Sequence, residues 1–152
     1  MTLGRSFAFI LDRDLGRLAD QLKSYPDEES VWIVAGTTKN SAGTLALHLV
    51  GNLEAFIGAV LGGTDYVRDR DAEFGDRDVP REEMYRRIEA CRATMVDTLG
   101  AMDDAAILAP YPGESPRGLG EKSAHTFLLH LTAHFSWHLG QIDYHRRLVG
   151  GG

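Results

Sequence analysis

LLHLTAHFSWHLGQIDYHRR, residues 128–147, is the stretch from which the fold is read. Five of the six histidines of the chain lie between His125 and His145. His130, His134 and His138 follow one another at four-residue steps, and Gln141 and His145 continue the row. A helix turns about 100° per residue, which brings all five side chains within roughly 40° of His134. Phe127, Leu131, Phe135, Leu139 and Ile142 form an apolar arc along one side of that row. The histidines therefore border a core-facing stripe, a placement that suits a site inside a helix bundle.

The same apolar period recurs upstream. Phe7, Ile10, Leu11, Leu15, Leu18 and Leu22 mark a first helix, which Tyr25-Pro26 and the acidic Asp27-Glu28-Glu29 end. Val31–Val34 is too short for periodicity to decide between a brief strand and a loop packed on the core. Leu45, Leu49, Leu53, Phe56, Ile57 and Val60 give the buried face of a second helix, capped by Asn40 or Ser41 and stopped by Gly62-Gly63. Pro80 suits the first turn of a third helix, with Met84, Ile88, Cys91, Met95, Leu99 and Met102 facing inward. Tyr111 to Gly120 is a turn-rich linker, and Gly150–Gly152 form a frayed tail. Four helices are expected near residues 5–23, 41–61, 80–102 and 123–148. They make residues 1–152 one all-α domain, a four-helix bundle.

The charged connection Thr64–Val79 stands apart. Asp69, Asp71 and Glu73 alternate as in a calcium loop, but Gly75 comes one place late and Pro80 stands where the closing glutamate belongs. The segment reads as a solvated loop with internal ion pairs, long enough to serve as a lid.

Composition narrows the function. With 22 acidic and 16 basic residues the net charge is −6, which argues against a nucleic-acid partner. Cys91 is the only cysteine, so an internal disulfide and a cysteine-based zinc site within one chain are excluded. It lies on an apolar stripe and reads as core filler, while Trp32 and Trp137 read as packing or interface residues. No unbroken apolar run approaches the length of a membrane span, and charges interrupt MTLGRSFAFILDRD before a signal core forms. A cytoplasmic protein acting on a small molecule, without a membrane partner, is the expectation.

Histidines one turn apart can both reach a divalent ion at roughly 2.0–2.1 Å. His134 and His138 form such a pair, and His130 and His134 form another. A third ligand must come from elsewhere. His48 is the only histidine outside the C-terminal region, and it lies on the inward face of the second helix. Three nitrogens with an open position is the pattern of a catalytic zinc site, although nickel, iron and manganese accept the same donors. Asn52, His130 and Gln141 are candidates to orient the ligands from behind. Binding needs neutral imidazoles, so affinity is expected to fall below about pH 6.5.

At these residues the chain resembles the DinB/YfiT-like superfamily of metalloenzymes. The matching features are LALHLVGNLEAF, residues 45–56, and HFSWHLGQI, residues 134–142. Carried over residue by residue, the resemblance assigns His48, His134 and His138 as the metal ligands. It implies a four-helix bundle, zinc or nickel, often a homodimer, and in characterised relatives metal-dependent transfer or isomerisation using a low-molecular-weight thiol. Leu139 departs from the arginine that many relatives carry, which bears on substrate charge. The expected function is a transferase activating such a thiol at a three-histidine centre. The alternatives are a metal-dependent hydrolase and a non-enzymatic metal-binding helical dimer. For hydrolysis a carboxylate base should stand close to the metal; Glu54 and Asp143 are poorly placed for it by helical angle. No catalytic residue is assigned.

Overall fold

The computed structural model describes residues 1–114 and 119–150. The middle of the expected linker and the last two glycines of the expected tail lie outside the described residues. Among the described residues there are six α-helices and no strand. The four long helices are α1 (Leu3–Lys23), α2 (Ala42–Leu53), α4 (Arg81–Ala101) and α6 (Ala124–Val149), with short α3 (Arg70–Gly75) and α5 (Asp104–Leu108) between them. Each long helix begins within a few residues of its expected start. The second ends differently: α2 stops at Leu53 and continues as a π-helical turn, Glu54–Ala59. Gly63, at φ +67°, takes the left-handed conformation that ends the segment. Ser30–Trp32 forms a 3₁₀ turn, so the short apolar run is not a strand.

Serine caps start α2 and α6. Ser41 caps α2 by accepting from the Thr44 amide, and Ser123 caps α6 by accepting from the Thr126 amide. Helix α1 packs on α4 and α6, and α2 packs on the same two helices. Leu11, Leu15, Leu18 and Leu22 of α1 are fully buried, as are Ile88, Met95 and Leu99 of α4 and Phe127 and Phe135 of α6. Truncating one such leucine to alanine costs about 2–5 kcal/mol. Cys91 is fully buried in this core, and burial pushes its thiol well above the ordinary range.

Helix α2 is buried along all twelve of its residues. A helix apolar on every side belongs in the middle of a protein, and here α3, α4, α6 and the 3₁₀ turn all cover it. The window Ala42–Ala59 is long and apolar enough to cross a membrane, yet 78% of it is buried inside the fold, as in a core helix. Its glycines admit neighbours that a side chain would exclude. The Trp32 ring lies against Gly43, and the Glu73 carboxylate lies against Gly51.

The charged connection is not simply a solvated loop. Asp69 caps α3 by accepting from the Ala72 amide, and the helix carries Glu73 into the interior, where only 5% of the residue is exposed. Burial of that carboxylate is possible because Arg68 pairs with it.

Candidate metal centre

His48 projects from the middle of buried α2 and is 6% exposed. His134 and His138 project from one face of α6, one turn apart and half-buried. Each of the three offers a ring nitrogen, and these atoms all lie within 4.8 Å of one another. The Nε2 atoms of His48 and His134 are 3.2 Å apart. An ion held tetrahedrally at about 2.0–2.1 Å spaces its donors by roughly 3.4 Å. One pair already has about that spacing, and the other separations are at most 4.8 Å. The rings of His134 and His138 stand nearly perpendicular with centroids 4.6 Å apart. The three-histidine group is therefore of a kind that can hold a metal ion.

The outer nitrogens of two rings are already taken. His48 Nδ1 lies 3.0 Å from Glu73 Oε2. Because the ionised carboxylate only accepts, Nδ1 donates, and the lone pair of the neutral ring falls on Nε2. His138 Nδ1 lies 2.6 Å from Gln141 Oε1, an acceptor, so it also donates and leaves its lone pair on Nε2. Hydrogen bonds of this kind orient ligating histidines and raise their basicity. Arg68 fixes Glu73 in turn, with Nε and Nη2 bonded to its two oxygens at 2.7 and 2.9 Å. Phe74 packs on the His48 ring, with centroids 4.9 Å apart.

Burial favours the neutral rings of His134 and His138. Burial, then the neighbouring His138, His48, His130 and Arg68, lower the His134 pKa to about 4. Burial also lowers His138, against an opposing contribution from its bond to Gln141. Burial would raise Glu73, but the hydrogen bonds from His48 and Arg68 outweigh it and hold the carboxylate below its ordinary value. No proton need leave His134 at neutral pH for its nitrogen to serve as a donor.

The remaining candidates divide. Gln141 is bonded to the outer nitrogen of His138. His130 lies outside the group, its ring stacked on Phe127 and on His134 with centroids 6.1 and 6.2 Å apart. Asn52, one turn beyond His48, is 7% exposed, and its Oδ1 has no hydrogen-bond partner among the described residues. An unpaired buried acceptor beside the histidines suits a site built to receive something further. His145 belongs to the structure rather than the site: its ring meets the Tyr25 hydroxyl and the Ile33 carbonyl. Asp143 is engaged by Arg146 and Arg147. Glu54 faces Thr94 and Cys91 of α4, and burial raises its pKa. Glu73 was missed as a site residue. The signals available for it were the aromatic Phe74 beside it in a charged run and the cap spacing from Asp69 to Ala72. A cleft of about 620 Å³ opens between α2, the 64–76 segment and α4; it reaches Glu73 and Gly51 but none of the three histidines.

An all-α protein with a three-histidine group able to hold a metal ion is the class that these observations define. The family model described as "Protein of unknown function (DUF1572)" matches residues 11–151, which include all three histidines and Glu73. The chain belongs to that family. No curated protein and no solved structure matches it.

Proposed function

We propose that the protein is a metal-dependent enzyme of the DinB/YfiT-like kind, a four-helix bundle that transfers a low-molecular-weight thiol to a small-molecule electrophile in the cytoplasm. His48, His134 and His138 would hold one divalent ion, zinc or nickel. The observation that carries the reading is the convergence of three imidazole nitrogens, with the outer nitrogens of His48 and His138 already bonded to Glu73 and Gln141. The ion supplies Lewis acidity that lowers the pKa of a thiol and favours the thiolate. The protein then needs no nucleophile of its own, which agrees with the burial of Cys91 in the core.

Hydrolysis is the weaker reading. Glu73 is the carboxylate nearest to hand, but it sits on the outer nitrogen of His48 and is saturated by Arg68. A general base has to reach the attacking water. The test begins with elemental analysis of untagged protein. Turnover of a thiol with an activated electrophile then follows, lost on chelation and restored by zinc or nickel. Stoichiometric metal without turnover would favour the non-enzymatic reading; absence of metal affinity would end both.

A homodimer fits the surface. Helix α6 leaves Leu129, Trp137, Tyr144 and Leu148 exposed on the side opposite its core stripe. Light scattering at micromolar concentration should give twice the chain mass, and Trp137→Glu should return the monomer.

A further inference from the structure

We infer that docking of α3 on α2 and occupation of the three-histidine group are one coupled equilibrium, with Glu73 the positioning residue that links them; this rests on the metal reading above. Helix α3 has six residues, too few to persist without tertiary support. Its packing is chiefly on α2, and it converges on one side chain there. Glu73 bonds to His48 Nδ1, and the adjacent Phe74 packs on the same ring. Gly51, three residues beyond His48, provides the seat: a Cβ there would collide with the Glu73 carboxylate. Arg68, just before the helix, holds both carboxylate oxygens.

The coupling follows from imidazole chemistry. With α3 docked, Glu73 fixes the His48 rotamer and keeps the proton on Nδ1, so the lone pair of Nε2 faces His134. With α3 undocked, that restraint is gone and the proton is free to move to Nε2, the atom a metal requires. In the other direction, a cation on Nε2 polarises the ring and makes Nδ1–H a stronger donor to Glu73. Linkage makes the two effects equal: whatever factor docking contributes to metal affinity, metal contributes to docking. The segment around α3 thus acts as a latch that closes as the site fills.

Three measurements on the full chain test this, with zinc as the probe. Zinc added to chelator-stripped protein should slow amide hydrogen exchange across residues 70–75 by at least about 10-fold, the lower end of what such outer contacts contribute. Glu73→Ala should weaken zinc binding by about 10–100-fold and abolish the zinc-dependent protection. Glu73→Gln, which keeps an acceptor, should lose less. Imidazole ¹⁵N shifts should report the Nδ1–H form of His48 in the wild type and a move toward Nε2–H in Glu73→Ala, a change that a merely structural role would not produce. Gly51→Ala keeps the carboxylate but denies its seat, so it should behave like Glu73→Ala even where the latter folds poorly. If the wild type binds zinc while exchange in 70–75 is unchanged and the variants bind as tightly, the coupling is wrong and the metal site stands. If the wild type binds neither zinc nor nickel, both fall.

Discussion

His138 and His145 lie two turns apart on the same helix, in the same row of side chains, and end in opposite situations. The ring of His145 is satisfied on both sides. The Ile33 carbonyl 2.8 Å from Nε2 can only accept, so Nε2 donates, and Nδ1 lies 2.7 Å from the Tyr25 hydroxyl, which also reaches the Ile142 carbonyl at 3.2 Å. Nothing is left for a ligand. In His138 only Nδ1 is bonded, to Gln141, and Nε2 keeps its lone pair beside two other histidines. What makes a histidine part of a site is therefore less its position on the helix than which of its nitrogens the rest of the fold leaves unclaimed.

The largest test of this contrast is to remove either kind of histidine. His48→Ala, His134→Ala or His138→Ala should abolish tight zinc binding, measured by competition with a chromogenic chelator, with the fold retained. If a triple alanine variant kept stoichiometric zinc, the contrast would collapse. His145→Ala should do the reverse. Zinc binding should persist, while urea unfolding should lose about 1–3 kcal/mol, because buried partners are left unsatisfied.

Smaller effects sharpen the contrast. Gln141→Ala frees the outer nitrogen of His138 and should weaken zinc by roughly 10-fold, toward the low end for such contacts because Gln141 is exposed. The pH dependence of metal-free stability should also carry the signature of the inner group. His134 titrates at about 4 in the fold and near 6.5 when unfolded. In that window the unfolded chain binds more protons, so the contribution of His134 is present above pH 6.5 and is lost as pH falls toward 4. Chemical denaturation at several pH values should reveal that slope, and His134→Ala should flatten it. His130→Ala should have the smallest effect, leaving zinc affinity within about three-fold, since its ring lies outside the three-histidine group and touches it only by stacking on His134.

Much of this protein could be read along the chain. The helical period placed four long helices, Asn40 or Ser41 announced a cap that Ser41 supplies, Gly62-Gly63 announced a stop, and Cys91 fell on a core stripe. These features are local: a helix writes its buried face every three or four residues, and caps act on amides two or three residues away. The inward placement of His48 and the pairing of His134 with a neighbour one turn away were legible for the same reason. The choice between His130 and His138 as the second member was not, because both spacings are equal on an isolated helix. The family resemblance pointed to His138, and the packing of α2 on α6 groups His48 with His134 and His138.

The sequence by itself thus determined an all-helical chain with histidines on an inner border. Tertiary structure alone decided that Glu73, 25 residues from His48, stands behind that ring, and that Tyr25, 120 residues from His145, closes off another. Such contacts depend on how whole helices pack, on Gly51 leaving room for a carboxylate and on Arg68 neutralising it. No local period encodes them, because the partners share a position in space and not a turn of helix.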